Sequence, residues 1–229
     1  MRESSVALKQ EKLKRLSRDE LSRYRPYDRQ RRFHDAGARH RERLFMAGNQ
    51  LGKTLAGASE WAMHLTGRYP DWWRGRRFSR PVRLWAAGVT AESTRDNPQR
   101  MLLGPPQRKD TWGTGAIPGD CIVTTSAARS GADTVDGIVV RHISGGQSTL
   151  AFKSYEKGRE KWQGETLDGV WFDEEPPLDI YSEGLTRTNA TGGMTMITFT
   201  PLLGMSEVVR LFLADAGADE ADAGSGAGK

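Results

Sequence analysis

Eight consecutive residues, Ala47–Thr54, have the spacing of a phosphate-binding loop, with alanine in place of the first glycine. Two glycines let the backbone curl so that its N–H groups can point at phosphate oxygens. Lys53 would bring a positive charge to the β- and γ-phosphates, and the Thr54 hydroxyl can ligate Mg²⁺. The loop therefore predicts an ATP and Mg²⁺ site whose nucleotide-binding residues are Gly48, Asn49, Gln50, Leu51, Gly52, Lys53 and Thr54.

A run of three carboxylates, Asp173–Glu175, directly follows the apolar residues Val170–Phe172. Adjacent carboxylates repel one another, so three of them at the end of a strand indicate a nearby cation. We expect Asp173 to hold Mg²⁺ through water, and Glu174 to orient and deprotonate the water that attacks the γ-phosphate. Glu175 is assigned to the surface or to the surroundings of the pair. Lys53 and Glu174 are thus the predicted catalytic residues.

The residues that flank these groups predict the elements that must position them. Leu44–Ala47 is a short apolar run that indicates a buried strand before the loop. The pattern of Thr54–Thr66 indicates a helix after it, ended by Gly67. Gly169–Phe172 and Met194–Phe199 indicate two further buried strands.

The middle of the chain adds a strand over Val82–Val89, then a loop and a helix that continues to Met101. The stretch Gly104–Gly119 is rich in turn residues and is predicted to be irregular. Ile138–Ser144 and Thr149–Lys153 are separated by two glycines and indicate a hairpin. Strands that alternate with helices predict an α/β P-loop NTPase fold of the RecA/ASCE-like type, whose mainly parallel sheet is flanked by helices on both faces.

Three regions are predicted along the 229 residues. Residues 1–24 form an N-terminal segment in which Val6–Arg23 has the pattern of an amphipathic helix. Residues 25–212 form the P-loop domain. Residues 213–229, dominated by alanine, glycine and acidic side chains, are predicted to be a disordered tail.

The composition narrows the class of protein. Charged residues make up 28% and hydrophobic residues 37%, and no apolar run approaches the ~18 residues of a membrane helix. The net charge is +5, and basic residues crowd the N-terminal part of the chain, which fits either solvated helix faces or attraction to a polyanion such as DNA. The single cysteine, Cys121, is expected to be a buried small side chain in a reducing compartment.

With these motifs in place, the chain resembles the ATPase domain of the large terminase subunit of tailed bacteriophages, over roughly Tyr24 to Leu213. Such proteins are motors that pump DNA into a preformed capsid. The resemblance rests on the ordered occurrence of four segments, which are Pro26–Phe33, Gly48–Thr54, Trp162–Glu174 and Thr198–Pro201.

The resemblance implies roles beyond those read from the loop and the acids. Gln30 would read the edge of the adenine base. Thr198 and Thr200 would belong to a coupling motif that senses the γ-phosphate and links hydrolysis to movement. The implied partners are double-stranded DNA, the small terminase subunit, the capsid portal and further copies of the chain on the portal. The expected location is the host cytoplasm, with no membrane association.

Three departures from the family pattern stand out. Many members have an arginine in the phosphate loop where this chain has Asn49, and a basic residue where it has Gln163. The arginine that stabilises the transition state is therefore left among three candidates, Arg95, Arg100 and Arg159. The chain also has no room for the C-terminal nuclease domain of the family, which suggests a fragment, an interrupted reading frame or a split motor subunit.

Two other functions stay open at this point. A helicase-like DNA translocase is the enzyme alternative, although such proteins usually carry a second nucleotide-clamping domain. A truncated subunit that binds DNA or the portal without turnover is the non-enzymatic alternative. Lys53, Thr54, Asp173 and Glu174 speak against a degenerate site.

Overall fold

The computed structural model describes residues 10, 18–128, 133–201 and 206–213. Seven strands form one sheet, and most of the helices pack on its two faces. The strands are β1 Glu42–Met46, β2 Arg83–Gly88, β3 Ile122–Ala127, β4 Val135–Arg141, β5 Gln147–Ser154, β6 Gly169–Asp173 and β7 Met194–Phe199. The helices are α1 Glu20–Arg23, α2 Asp28–Ala36, α3 Lys53–Thr66, α4 in three segments (Ala91–Thr94, the π-helical Arg95–Gln99 and Arg100–Leu103), α5 Leu178–Thr188 and α6, residues 207–213.

The order of strands across the sheet is β1-β7-β6-β2-β5-β4-β3. The first five of these are parallel to their neighbours, while β4 and β3 are added in antiparallel pairs beside β5. Because β1, β6 and β7 are parallel, the residues that follow each of them meet at one edge of the sheet. The predicted α/β P-loop fold with a mainly parallel sheet is confirmed.

The central strands β6 and β7 are buried along their whole length, as expected for parallel strands covered on both faces. Successive side chains of β6 point to opposite faces. Trp171 packs with Trp61 of α3 in the larger apolar cluster, whereas Phe172 packs with Ile180 and Tyr181 of α5 in the other. Helices therefore hold the sheet from both sides.

A buried polar network fastens α2 and β1 to α3. The carboxylate of Glu60 lies 2.7 Å from His34 Nδ1, and Arg43 Nη2 approaches it to 2.5 Å. The His64 Nε2 atom is 3.3 Å away, and Tyr24 Oη lies 3.0 Å from the other ring nitrogen of His34. Burial alone would raise the pKa of Glu60, but Arg43 and the two histidines hold it well below its usual value.

Most sequence predictions of elements agree with the structure within a few residues. Gly67 caps α3 in the left-handed conformation, as predicted. Strand β3 was not predicted, and Gly104–Gly119 contains only a 3₁₀ turn at Lys109–Thr111. Cys121 is buried, as expected.

The predicted helix over Val6–Arg23 lies mostly outside the described residues, apart from the short α1. Of the predicted tail, residues 213–229, the structure describes only Leu213, which belongs to α6, so the three-region division stays a prediction. Within the described ranges no helix is both long enough and apolar enough to cross a bilayer.

Candidate nucleotide site

The predicted phosphate loop connects the end of β1 to the start of α3 at the edge of the sheet. Gly52 is the residue before the helix and has a φ of 69°, which favours glycine. Gln50 also has a positive φ, 60°, although it has a side chain. Lys53 is buried, and its Nζ donates a hydrogen bond to Gly48 O at 2.8 Å. The loop is therefore curled with its lysine inside, an arrangement in which phosphate oxygens can replace the Gly48 carbonyl as partners of Lys53.

Two side chains from the N-terminal end of α2 support this loop from the side. The Tyr27 hydroxyl donates to Leu51 O at 2.6 Å, and Gln30 Nε2 donates to Gly52 O at 2.8 Å. Gln30 Oε1 accepts from the Tyr27 backbone N–H at 3.2 Å. Gln30 is only 3% exposed, and its side-chain amide contacts the phosphate loop in this structure. Its role in reading adenine stays a prediction.

Asp173 ends β6 and faces the first turn of α3. Its Oδ1 accepts hydrogen bonds from the Thr54 hydroxyl at 3.0 Å and the Thr198 hydroxyl at 2.8 Å. Burial and, to a smaller extent, Glu174 raise the pKa of this carboxyl to about 7, against the lowering effect of the two hydroxyls and of Lys53. The structure thus brings together the predicted loop, the acidic pair and one predicted coupling residue.

The donor set around Asp173 fits Mg²⁺. A threonine hydroxyl and a buried carboxylate 3.0 Å apart are both oxygen ligands of the kind that this ion takes. Burial raises the pKa of Asp173, and a cation bound beside it would stabilise the ionised form of this carboxyl. Within the described ranges no group of three or more acidic, histidine or cysteine side chains is placed to hold a metal.

Glu174 has a backbone conformation that is unusual for a residue with a side chain, since its φ is 73°. Its N–H donates to Thr198 O at 2.8 Å, and its carbonyl accepts from the Tyr155 hydroxyl at 2.7 Å. These bonds maintain a conformation that costs about 1–3 kcal/mol. Strained conformations of this kind are concentrated at functional sites. Here the conformation sets the direction in which the Glu174 side chain extends from the end of β6.

The predicted coupling residues both contact the site. Thr198 accepts a hydrogen bond from the buried Trp171 Nε1 at 2.8 Å while it donates to Asp173. The Thr200 hydroxyl donates to Asn49 Oδ1 in the phosphate loop at 2.9 Å, and the Thr200 N–H lies 3.4 Å from Glu174 Oε2. The end of β7 is thereby connected to the loop and to both acids; what these contacts do during turnover stays a prediction.

Two of the three candidate arginines are paired with carboxylates elsewhere, and the third is exposed beside another cavity. Arg95 pairs with Asp96 and Glu92 on its own helix. Arg159 pairs with Glu183 of α5. Arg100 is exposed at the rim of a cavity of about 560 Å³ beside α3. None of them donates a hydrogen bond to the phosphate loop or the acidic pair in the part of the chain that the structure describes.

Two contributors to the site were not predicted from the sequence. Tyr155 follows β5 and reaches the carbonyls of Asp173 and Glu174, at 3.3 and 2.7 Å. Burial, together with the nearby carboxylates, raises the pKa of this tyrosine well above its usual value, so its hydroxyl keeps its proton as a donor. The sequence predicts Trp171 only as an apolar strand residue, whereas in the structure its indole N–H donates a hydrogen bond that positions Thr198.

Comparison with known proteins agrees with this geometry. Residues 44–227 match the family model described as terminase large subunit, T4likevirus-type, N-terminal. The chain is 46% identical over 210 residues to the large terminase subunit of Salmonella phage P22, covering 84% of this chain and 42% of that protein. It is 31% identical over 133 residues to the large terminase subunit of Enterobacteria phage LP7, covering 55% of this chain and 27% of that protein.

A solved structure shares the fold. The crystal structure of the HK97 bacteriophage large terminase superposes with a TM-score of 0.54 at 14% identity, covering 87% of this chain and 38% of that one. The chain spans less than half the length of each of these relatives. Since the family model covers most of the chain and lies on the residues that build the site, the protein belongs to the large terminase subunits of bacteriophages, in their N-terminal domain.

Proposed function

We propose that this chain is an ATP-hydrolysing motor domain that drives double-stranded DNA into a phage procapsid. The observation that carries the proposal is the meeting of Thr54, Thr198 and Asp173 on a single carboxylate oxygen, beside a curled phosphate loop. That arrangement joins the groups for phosphate binding, metal binding and water activation in one place. Membership of the large terminase family supports the DNA-packaging part of the proposal.

The loop would bind the substrate ATP by its backbone N–H groups and by Lys53. Phosphate oxygens would take over the Lys53 ammonium from the Gly48 carbonyl, 2.8 Å away in this structure. The amino end of α3, which begins at Lys53, adds its partial positive charge. Thr54 and Asp173 would hold Mg²⁺, which neutralises charge that develops on the β- and γ-phosphates.

Hydrolysis would depend on Glu174 as the base that orients and deprotonates water. Its carboxylate leaves the sheet one residue after Asp173, in a conformation held by Thr198 O and Tyr155. None of the three candidate arginines reaches the site in this structure. The arginine that stabilises the transition state would therefore be supplied by a group that does not contact the site here. The Thr200 contacts with Asn49 and Glu174 provide a route by which the loop and β7 can respond together.

The proposed packaging function also implies binding partners. Double-stranded DNA is the proposed substrate of movement, and the small terminase subunit, the portal and other copies of the chain are the proposed assembly partners in the host cytoplasm. No contact with the DNA bases is expected, because a packaging motor must accept any sequence.

The proposal is tested by ATP hydrolysis of the purified chain with and without double-stranded DNA. Lys53→Ala is expected to abolish hydrolysis, because the phosphates lose their only buried loop cation. The matched control is Lys157→Ala, an exposed lysine elsewhere on the chain, which is expected to keep the wild-type rate. Stimulation of the wild type by DNA would support the motor over a generic ATPase.

Two results would contradict the proposal. Hydrolysis that survives Lys53→Ala would place the activity elsewhere. Absence of both nucleotide binding and hydrolysis in the wild type would leave the non-hydrolysing, DNA- or portal-binding alternative.

A further inference from the structure

A group of arginines lies at the edge of the sheet opposite the nucleotide site. The loop between α3 and β2, residues 67–82, contains five arginines and one carboxylate, Asp71. Three of them, Arg76, Arg77 and Arg80, together with Arg41 before β1, form what we call the arginine cluster. Because β1, β2, β6 and β7 run parallel, their first residues lie at the edge of the sheet away from the phosphate loop.

Three of the four side chains are held by contacts with that edge. Arg41 Nε donates to Gly193 O at 2.9 Å, and Arg76 Nη1 donates to Gly192 O at 2.8 Å, so both are held by the turn before β7. Arg80 pairs with the buried Asp168 before β6. Since β6 has five residues, the cluster lies about 15 Å from the acidic pair at the other end of that strand.

Most of the positive charge of the cluster is not neutralised by the protein. The Arg76 guanidinium lies 4.9 Å from the centre of the Phe78 ring, and that of Arg77 lies 5.1 Å from the centre of the Tyr69 ring. Arg41, Arg76 and Arg77 form no ion pair with any carboxylate of the described residues; only Arg80 does. Burial lowers the pKa of Arg76, and the charges of Arg41 and Arg80 lower it further against the opposing effect of Asp168, so these guanidiniums are close enough to repel one another.

Guanidiniums that are held by carbonyls and rings, and that repel one another, form a surface suited to an anion with several charges. The exposed large apolar side chains of the described residues all lie outside the loop 67–82, although Ile143 lies at the same edge of the sheet, beside Gly67. They are Tyr27, Met46, Leu51, Leu55, Val89, Met101, Val123, Ile143, Leu211 and Leu213. A protein partner would normally need an aromatic or aliphatic anchor at the centre of its interface, and none of the exposed large apolar side chains of the described residues lies within the loop 67–82. The chemistry favours a phosphate backbone over an acidic protein.

We propose that the arginine cluster binds the phosphate backbone of double-stranded DNA. The inference rests on the proposed function and deepens it by assigning the DNA contact to the edge of the sheet away from ATP. Phosphate contacts carry no sequence information, which is the recognition that a packaging motor requires. Strand β7 begins directly after Gly193, on which Arg41 is held, and ends directly before Thr200 at the nucleotide site. One strand therefore joins the two surfaces.

The test compares binding of a labelled DNA duplex of mixed sequence to three double variants of the full chain, without nucleotide. R76Q/R77Q removes two charges of the cluster, and R76K/R77K keeps them. R108Q/R141Q removes two exposed arginine charges outside the cluster, that of Arg141 at the same edge of the sheet, and is the matched control. Thermal melting of each variant verifies that it is folded.

R76Q/R77Q is expected to weaken DNA binding on the order of tenfold and to reduce the slope of log K against log salt by about 2, since each lost phosphate contact removes about 0.9. R76K/R77K should keep the salt slope, and R108Q/R141Q should bind within about twofold of wild type. Equal weakening by R76Q/R77Q and the control, or no weakening by either, would overturn the proposal. Cluster-dependent binding of polyglutamate with unchanged DNA binding would also overturn it, in favour of an acidic protein.

The outcome is separable from that of the proposed function. DNA binding that depends on the cluster, in a chain that never hydrolyses ATP, would support this inference while contradicting the motor activity. The opposite result is ATP hydrolysis that Lys53→Ala abolishes, together with DNA binding that R76Q/R77Q leaves unchanged. It would support the motor activity and contradict this inference.

Discussion

Thr198 donates a hydrogen bond to Asp173 Oδ1 at 2.8 Å, the same oxygen that Thr54 reaches from the first turn of α3 at 3.0 Å. A residue of β7 therefore helps to set the carboxylate that is proposed to hold the metal. The hydroxyl of Thr198 is itself oriented by the Trp171 indole N–H. Outer contacts of this kind orient metal ligands and tune their basicity.

Replacing Thr198 by valine removes both hydrogen bonds while nearly preserving the shape of the side chain. We expect ATP hydrolysis to fall about 10- to 100-fold, because Asp173 loses a donor that lowers its pKa and fixes its orientation. Thr198→Ser keeps the hydroxyl and should retain most of the activity. Steady-state hydrolysis at saturating Mg²⁺ measures both, and equal activity of the valine and serine variants would contradict the assigned role.

Gly57 of α3 leaves room for the Trp171 ring. A Cβ at this position would lie 2.5 Å from Trp171 Cε2, closer than real contacts allow. Gly57→Ala should therefore lower the free energy of unfolding by about 1–3 kcal/mol, although alanine favours a helix interior by about 1 kcal/mol. In a Trp171→Phe background the same change should cost less, because the smaller ring frees space. Chemical denaturation of the four proteins gives the coupling, and a stabilising Gly57→Ala would refute the packing argument.

The contact between Asn49 and Thr200 joins the phosphate loop to the residue after β7. A double-mutant cycle with Asn49→Ala and Thr200→Val should give a coupling free energy of about 0.5–1.5 kcal/mol in stability, the usual net worth of one hydrogen bond. The single variants are expected to bind ATP but to hydrolyse it more slowly. A coupling free energy indistinguishable from zero would mean that the hydrogen bond does not link the two segments.

The Glu60 network predicts a loss of stability in acid. The pKa of Glu60 is held below 4.5 in the folded protein, so its contribution is present above that value and is lost as the pH falls through the folded pKa. Burial lowers the pKa of His64 below 6.5, so protonation of the unfolded chain already reduces stability as the pH falls below about 6.5.

Glu60→Gln should destabilise the protein at neutral pH by about 3–5 kcal/mol, because it leaves the charge of the buried Arg43 unpaired. It should also flatten the part of the pH profile below about 4.5 that belongs to Glu60. Glu20→Gln, in an exposed pair with Arg23, is the control and should change stability by less than about 1 kcal/mol. Thermal melting across pH measures both, and matching profiles for the two variants would contradict the account.

The loop and the acidic pair could be predicted because their chemistry depends on local spacing. Gly48 and Gly52 around Lys53, and an apolar strand that ends in Asp173, are patterns visible in one sequence. The fold class followed from the alternation of strands and helices. Strand β3 escaped prediction because its threonines and serine form no apolar run, and it lies half exposed at the edge of the sheet.

The remainder of the site depends on strand order, which a single sequence does not reveal. Tyr155 reaches Glu174 only because β5 lies beside β2, which in turn lies beside β6. The positive φ of Glu174 could not be anticipated either, since residues with side chains seldom adopt it. The arginine cluster likewise assembles from the starts of separate strands, although its charges were visible one by one in the sequence.

The most direct test of the central claim is single-turnover hydrolysis of bound ATP by Glu174→Gln beside Glu175→Gln. The two variants remove neighbouring carboxylates and leave the phosphate loop unchanged. Glu174→Gln is expected to retain ATP binding but to lose about 10²- to 10⁴-fold in the hydrolysis step, as for a missing general base, while Glu175→Gln should stay within a few-fold of wild type. Unchanged hydrolysis by Glu174→Gln, or an equal loss in both variants, would contradict the assignment of Glu174 as the base.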